Sequence, residues 1–179
     1  FVSAGSTGAV LVGGQLIVGR IKGILRPALA PLIPTEKGVS LLIDCGANVD
    51  ARAEHLVQFA RIGSLYMEKV IGIKNPRVGI VNIGAEEEIN FIGSVESREI
   101  PKGGADIIVC EAFVGNVILK LYEGLGSTLL GKIKGALMKN VFTKIGAMMI
   151  KSSLKETLKS FDASEYGGAP LLGLNGLVV

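Results

Sequence analysis

The sequence predicts an α/β fold in which helices flank an open, mostly parallel β-sheet. Short, unbroken apolar runs recur along the chain, which is typical of strands buried on both faces. Each run ends in a small polar loop rich in Gly, Asn, Ser or acidic residues, and helical spacing follows most of these loops. The runs and their loops are 1–2 with 3–8, 41–45 with 46–50, 78–81 with 82–86, and 107–110 with 111–116.

Size and composition limit the class of protein. With 179 residues, 49% of them hydrophobic, the chain can form one domain, or one domain with an appendage. Aromatic residues make up 5% and tryptophan is absent, so we expect no nucleic-acid binding. Cys45 and Cys110 end two apolar runs without metal-binding spacing, which predicts buried reduced thiols. We expect neither a metal nor another cofactor.

Both ends of the chain are apolar. Residues 1–19 carry no charge, but glycines, serine and glutamine interrupt them and no basic stretch precedes them. We therefore expect a strand, a turn and a helix there, not a signal peptide or a membrane span. The chain begins without methionine and ends within the apolar run 177–179. We expect the sequence to be part of a longer protein.

Two helices are predicted in the first half of the chain. Ser6 or Thr7 is placed to cap a helix that ends near Gly19 or Gly23. Three prolines within 26–34 predict an extended connection outside both helix and sheet. A second helix is predicted over about 53–71, closed by Gly72 and Pro76. Its apolar positions at helical spacing are Leu56, Ala60, Gly63, Met67 and Val70.

The alternation of strand and helix breaks at one place. Only residues 86–88 separate the strand that ends near Ile83 from the short apolar run 89–93. A parallel connection needs about a dozen residues or more. Either these two strands are antiparallel, or a crossover is absent from this sequence.

Residues 127–161 differ in character from the rest of the chain. They contain seven lysines and one acid, Glu156, interleaved with apolar residues at three- and four-residue steps. This predicts a basic amphipathic helical hairpin, broken near Lys139 and Asn140 or near Lys151 and Ser152, appended to an α/β core of residues 1–126 and 162–179. It could pack on the core or a sister subunit, rest on an anionic membrane, or bind an acidic protein. Its expected membrane-contact residues are Met148, Met149 and Ile150.

Neither of two common nucleotide-binding motifs is supported. Residues 126–132 resemble a phosphate-binding P-loop, but Ile133 stands where Ser or Thr would ligate magnesium. The stretch also lies inside a helical pattern and does not follow a strand. A dinucleotide-binding GxGxxG motif does not occur in the chain.

The strand-end loops are the candidate site, because the carboxyl ends of parallel strands lie at one edge of a sheet. In loop 3–8, glycines permit close approach of a ligand, and amides at a helix start attract anions. A capped tight turn is the alternative for this loop. In the second loop, Asn48 and Asp50 precede a helix with His55 in its first turn. Asp50 could simply cap that helix, and the single histidine could be structural.

The fourth loop offers an oxyanion donor. An Asn116 amide held at a strand end can stabilise a developing negative charge while remaining neutral, although it could also cap the following helix. We find no Ser-His-Asp or Cys-His arrangement, so a covalent acyl-enzyme is not supported.

An ordered set of short motifs runs along the chain. Together the motifs closely resemble the bacterial phosphate acyltransferase (PlsX) family of fatty acid and phospholipid synthesis, over essentially the whole chain. The resemblance implies an isopropylmalate dehydrogenase/phosphotransacetylase-like fold. The motifs are 3–9, 19–24, 26–31, 44–51, 54–56, 72–79, 90–93, 113–117 and 164–169.

The resemblance also implies an activity. A fatty acyl group would move from acyl carrier protein to inorganic phosphate, giving acyl phosphate for phospholipid synthesis. The enzyme would be a cytoplasmic homodimer, peripherally associated with the membrane. Expected catalytic residues are Asn116, Asn48, Asp50 and His55. Expected phosphate- and substrate-binding residues are Ser3, Gly5, Ser6, Thr7, Gly8, Asn82, Gly84 and Gly115.

The chain departs from the family pattern in the third loop. After Asn82 and Gly84, family members have a longer stretch containing a lysine that would neutralise phosphate, whereas in this chain only residues 85–88 precede Ile89. Two other functions remain open. One is a phosphotransacetylase-type enzyme that uses acyl-CoA, and the other is a non-catalytic scaffold that binds a membrane and carrier protein.

Overall fold

The structure, a computed structural model, describes residues 2–81, 89–159 and 168–179. Its strands are β1 (Ala28–Leu29), β2 (Leu32–Thr35), β3 (Gly38–Ile43), β4 (Val78–Ile80), β5 (Phe91–Ser94), β6 (Ile107–Val109) and β7 (Leu171–Leu172). Five of them form a sheet of order β2-β3-β6-β4-β5, in which only β2 is antiparallel to its neighbour. β1 and β7 form a separate antiparallel pair. The predicted open, mostly parallel sheet is confirmed.

Five α-helices accompany these strands in the described ranges. They are α1 (Thr7–Gly13), α2 (Ala53–Tyr66), α3 (Ala112–Leu137), α4 (Val141–Met149) and α5 (Lys151–Lys159). α1 continues as a π-helical turn over Gly14–Val18, and α2 continues in the same way over Met67–Ile71. Among the described residues, no helix combines the length and apolar character needed to cross a membrane.

The sheet is covered on both faces. Along β3, Leu41 and Ile43 pack in the cluster that contains Phe59 of α2, whereas Leu42 packs in the cluster that includes Ile118 of α3. Along β6, Ile107 and Val109 pack in the first of these clusters and Ile108 packs in the second. This two-sided burial explains the unbroken apolar runs, and each fully buried Leu or Ile side chain stabilises the fold by about 1.5–3 kcal/mol.

Both helices predicted in the first half are present. Ser6 caps α1 by accepting the N–H of Ala9, and the helical segment ends at Gly19, whose φ is 80°. The second segment ends at Gly72 in the left-handed conformation, as predicted. Four of its five apolar positions are buried, namely Leu56, Ala60, Gly63 and Met67. The fifth, Val70, is 63% exposed.

Two strand predictions were wrong. Val2 is 80% exposed and lies outside the strands, and Phe1 is not among the described residues. The proline-rich stretch, expected to avoid the sheet, contributes β1 and β2, and Pro34 pairs with Val39. β2 lies at the edge of the sheet. Proline is tolerated there because its missing N–H removes no bond from a neighbouring strand.

The two strands flanking the short acidic connection are parallel. β4 and β5 pair in parallel, so the antiparallel alternative is wrong. Residues 81–90 connect them, which is shorter than the usual parallel crossover. Residues 82–88 lie outside the described ranges.

The basic segment forms part of three helices. α3 begins directly after β6 and continues without a break across residue 126. The predicted break near Lys139 is confirmed, because Asn140 caps α4 by accepting the N–H of Thr143. A second break at Ile150, next to the alternative position, separates α4 from α5.

An ion pair fixes the amino ends of β4 and β6. Arg77 Nη2 lies 2.8 Å from Asp106 Oδ1, and Nε lies 3.0 Å from Oδ2. The backbone N–H of Arg77 also donates to Asp106 Oδ2 at 2.8 Å. Burial raises the pKa of Asp106, but the bonds from Arg77 outweigh this effect and leave that pKa below its usual value.

The first turn of α3 lies very close to the end of β3. A Cβ atom built on Gly115 would be 1.9 Å from the carbonyl oxygen of Asp44 and 3.0 Å from the sulfur of Cys110. Only glycine permits this approach between helix and strand. Gly115 therefore sets where the start of α3 lies relative to the strand-end loops.

We predict that Gly115→Ala lowers the free energy of unfolding by at least about 2 kcal/mol, since the added methyl group must displace backbone. Urea denaturation followed by circular dichroism measures the loss. Gly124→Ala on the same helix is the matched control, because nothing lies within 4 Å of a Cβ atom there. Equal unfolding midpoints for the two variants would contradict the packing argument.

Candidate functional site

Three of the strand-end loops leave the sheet side by side. Asp44 N–H donates to the carbonyl of Cys110 at 3.0 Å, and Cys110 N–H donates to the carbonyl of Ile43 at 2.8 Å. Val81, which begins the third loop, donates its N–H to the carbonyl of Val109 at 2.9 Å. The loops after β3, β4 and β6 therefore start at one edge of the sheet, as expected for a parallel arrangement.

The carboxylate of Asp44 organises the second loop. Its Oδ1 accepts the N–H of Leu29 at 2.9 Å and that of Ala47 at 3.2 Å. Its Oδ2 accepts both the N–H and the side-chain amide of Asn48, each at 2.7 Å. Burial raises the pKa of Asp44 above its usual value, although these hydrogen bonds oppose the shift. All four partners are donors, so the arrangement requires the ionised carboxylate.

Sequence reasoning did not identify Asp44. Its signal in the sequence is an acidic residue inside the apolar run 41–45, next to Cys45. A buried acid of this kind needs several donors, and it therefore marks a loop with a fixed conformation.

Asn48 is buried, and both of its side-chain N–H groups are hydrogen-bonded. Besides its bond to Asp44, Nδ2 donates to the carbonyl of Pro27 at 2.8 Å. Its own backbone carbonyl accepts the N–H of Ala112, the first residue of α3, at 3.2 Å. Asn48 thus connects the second and fourth loops, and its side-chain donors are not available to a ligand.

Asp50 is exposed and forms a two-contact ion pair with Arg26. One contact joins Nη2 and Oδ2 at 3.1 Å, and the other joins Nη1 and Oδ1. The hydrogen bond from Arg26 lowers the pKa of Asp50. Arg52, and not Asp50, occupies the N-cap position of α2, so the capping alternative for Asp50 is wrong. Arg26, which sequence reasoning did not single out, places a cation beside the second loop.

His55 lies inside the first turn of α2. Its ring is buried, and Nδ1 accepts the N–H of Arg52 at 2.9 Å. Nε2 lies 4.0 Å from the carboxylate of Glu54. In this structure His55 closes the start of the helix, which is the structural role that the sequence left open.

The start of α3 presents one unused amide side chain. Glu111 caps the helix by accepting the N–H groups of Phe113 at 2.8 Å and Val114 at 2.7 Å. The N–H of Gly115 is also used, in a bond to the carbonyl of Glu111. Asn116 does not cap the helix; it is exposed, and its side chain has no hydrogen-bond partner among the described residues.

The first loop reaches the others through the C-terminal residues. Ser3 Oγ accepts the N–H of Gly5 at 3.0 Å, and the backbone N–H of Ser3 donates to Val179. Val10 of α1 and Ala47 of the second loop pack around the same cluster, formed by Leu171, Leu174 and Val178. Ser6, Thr7 and Gly8 are exposed at the start of α1.

Three further predictions concern the third loop, the two cysteines and a metal site. Asn82 and Gly84 lie outside the described residues. Cys45 and Cys110 are free and buried, as predicted, and burial raises the pKa of both thiols, that of Cys110 to about 12. Within the described ranges, no group of three His, Cys, Asp or Glu residues could hold a metal ion.

The predicted membrane-contact residues are exposed at the junction of α4 and α5. Met148 and Met149 have exposed fractions of 68% and 81%, and Ile150 has 49%.

Comparison with known sequences identifies close relatives. A family model described as "Fatty acid synthesis protein" matches residues 1–179. The chain is 52% identical to the phosphate acyltransferase of Alkaliphilus oremlandii, covering 99% of this chain and 58% of that protein. It is 48% identical to the phosphate acyltransferase of Thermoanaerobacter pseudethanolicus, covering 100% of this chain and 59% of that protein. The chain thus spans less than two thirds of the length of these relatives.

The relatives also contain residues within the aligned region that this chain lacks. The alignment with the Alkaliphilus oremlandii protein extends over 195 positions. This chain has 179 residues, so at least 16 aligned positions, the difference between 195 and 179, have no counterpart here.

Two solved structures share the fold. A phosphotransacetylase from Streptococcus pyogenes superimposes with a TM-score of 0.60 at 16% identity, covering 99% of this chain and 55% of that one. The EutD phosphotransacetylase from Staphylococcus aureus gives 0.56 at 15% identity, covering 98% of this chain and 54% of that one. These confirm the predicted phosphotransacetylase-like α/β architecture. With the sequence matches over its whole length, the chain belongs to the fatty acid synthesis protein family, whose curated members include bacterial phosphate acyltransferases.

Proposed function

We propose that the protein transfers a fatty acyl group from acyl carrier protein to inorganic phosphate, giving acyl phosphate for phospholipid synthesis. The observation that carries this proposal is the exposed amide of Asn116, which has no hydrogen-bond partner among the described residues and follows loops fixed by Asp44. Its chemistry suits an acyl-transfer reaction in which negative charge develops on a carbonyl oxygen. The names of the relatives support the same reaction class.

In the proposed reaction, phosphate attacks the acyl donor directly and no acyl-enzyme forms. A phosphate oxygen attacks the thioester carbonyl carbon, and the Asn116 amide donates to the oxyanion that forms. The intermediate then collapses, the C–S bond breaks, and the carrier thiolate leaves and takes up a proton. Phosphate at neutral pH is already a nucleophile, so orientation and charge stabilisation matter more than a strong base.

The other candidate residues either bind phosphate or position the residues around the site. We propose that loop 3–8, with Ser3, Gly5, Ser6, Thr7 and Gly8, binds phosphate, together with Asn82 and Gly84 of the third loop. In this proposal Gly115 contributes to the substrate site by bringing the start of α3 against the end of β3.

Asn48, Asp50 and His55 act as positioning residues in this proposal. The hydrogen bonds of Asn48 fix the second loop, and the ion pair of Asp50 holds Arg26. The hydrogen bond of His55 fixes the start of α2. Arg26 lies beside the crevice in its ion pair with Asp50. The lysine expected in the third loop is assigned to positions that the relatives have and this chain lacks.

A phosphotransacetylase-type reaction that uses acyl-CoA is the second candidate function, because both structural neighbours are named for that activity. Palmitoyl carrier protein and acetyl-CoA, compared as acyl donors, decide between the two. Preference for acetyl-CoA would reverse the assignment. A non-catalytic scaffold would show no phosphate-dependent loss of thioester with either donor.

We also propose that the enzyme is a homodimer that associates peripherally with the cytoplasmic face of a membrane. An exposed apolar stripe on α3 supports the dimer, since its residues follow each other at four-residue steps and have little cover. The stripe consists of Phe113, Val117, Leu121, Leu125 and Leu129. Sedimentation velocity measures the oligomeric state, and a monomer at micromolar concentration would contradict the dimer.

Asn116→Ala is expected to lower turnover at least about tenfold, because one oxyanion donor is removed. The melting temperature should hardly change, since the side chain is exposed and makes no hydrogen bond with the described residues. Thr128→Ala, also exposed on α3, is the matched control and should retain full activity. Near-normal acyl phosphate production by Asn116→Ala would rule out this role.

Replacement of Met148, Met149 and Ile150 by Ser is expected to weaken binding to anionic vesicles at least about tenfold, because three apolar contacts are lost. Turnover of a soluble octanoyl donor should fall much less. Leu65→Ser in α2 combined with Val70→Ser in the π-helical turn that follows it serves as the control, because both residues are exposed and apolar. Co-sedimentation with vesicles gives the affinities, and an unchanged affinity for the Ser variant would exclude this membrane contact.

A further inference from the structure

One cavity of the described molecule lies alongside α3, beyond the strand-end loops. It is a cleft of about 1070 Å³ between α3 on one side and α4 and α5 on the other. Ile33 and Pro34 of the edge strand β2 close one end of it. This volume is at the upper end of the range of small-molecule sites, about 300–1,000 Å³.

The wall of the cleft is mainly apolar. Leu119 and Leu130 of α3 face Ala147 of α4 and Leu154 of α5 across it. Tyr122 also contributes its ring, and its hydroxyl is shielded from water without a hydrogen-bond partner in the described structure. Such a surface favours a hydrocarbon over a polar ligand.

Three lysines line the same cleft. Lys144 belongs to α4, and Lys151 and Lys155 belong to α5. The only acidic side chain in the described lining is Glu123, which is paired with Lys120 at 2.7 Å. An apolar cleft with an excess of cations is complementary to an anionic amphiphile. A second copy of the chain would instead bring a basic segment of its own against these lysines.

The cleft and the proposed oxyanion donor share one face of α3. From Asn116, the residues Leu119, Glu123 and Leu130 follow at steps of three, four and seven, which places all of them along one side of the helix. Leu119 lies about one helical turn beyond Asn116, and Leu130 lies about 16 Å further along the axis. The face is thus long enough to accompany an extended acyl chain away from a thioester carbonyl at Asn116.

We propose that this cleft binds the hydrocarbon chain of the acyl group that is transferred, with the chain running along α3 from Asn116. The inference rests on the proposed function, and it adds a binding site and a basis for chain-length selection. The lysines hold the anionic end of a free acid or acyl phosphate that enters or leaves the cleft. Closing the cleft removes room for long chains first.

Gly126 allows a direct test. It lines the cleft, and nothing lies within 4 Å of a Cβ atom built on it, so a large side chain there enters open space without a clash. Gly124, two residues earlier on the same helix, is equally open but does not line the cleft. Both substitutions replace glycine within a helix, which favours the helical state. Gly126→Trp and Gly124→Trp are therefore a matched pair.

Binding of the fluorescent fatty acid cis-parinaric acid to the intact protein is the first measurement. Gly126→Trp is expected to weaken this binding at least about tenfold, whereas Gly124→Trp leaves it unchanged. Lys151→Glu combined with Lys155→Glu should weaken binding of the acid but not of its methyl ester. Equal affinities of Gly126→Trp and the wild type would overturn the proposal.

The ratio of turnover with palmitoyl and octanoyl donors is the second measurement. Gly126→Trp should lower this ratio at least about tenfold relative to Gly124→Trp. A ratio that does not change would overturn the proposal, as would a change of oligomeric state in Gly126→Trp alone, because the occupant would then be a second copy. Absence of acyl phosphate formation by the wild type would contradict the proposed function, whereas probe binding would still decide the identity of the cleft.

Discussion

The arrangement of the strand-end loops depends on the buried carboxylate of Asp44. It accepts four N–H bonds and so holds the backbone at Leu29, Ala47 and Asn48 around the end of β3. A charged group in this position is stable only while all these donors are present, because an unpaired buried charge is very costly. The loop therefore has one conformation, and the start of α3 can lie against it at the distance that Gly115 permits.

This constraint explains how the candidate residues differ in role. Residues that contact Asp44 or the helix starts, such as Asn48 and His55, have their donors and acceptors occupied by the protein. Asn116 stands one turn into α3, just beyond the caps, and remains open to solvent. The buried polar contacts thus fix the backbone next to Asn116, while its amide has no partner among the described residues and can donate to a ligand.

The sequence predicted the parts of the fold that local patterns determine. The runs that became β3 and β6 were recognisable because both faces of the sheet are covered, and Gly72 marked the end of its helix. Pairing between distant segments was harder to predict. β2 forms despite Pro34 because it lies at a sheet edge, and a sequence window does not show which strand will be at the edge.

In the site, residue types indicated donors and acids but not which of them were already satisfied. In the sequence, Asn48 and Asn116 each follow an apolar run and cannot be told apart. In the structure, Asn48 is buried with its amide hydrogen-bonded, whereas Asn116 is exposed.

The stability of α3 should differ between its two ends. Four glycines with open surroundings, Gly124, Gly126, Gly131 and Gly135, each disfavour the helix by about 1 kcal/mol relative to alanine. Local opening should therefore start near these glycines, giving α3 a gradient of hydrogen-exchange protection that falls with distance from the sheet.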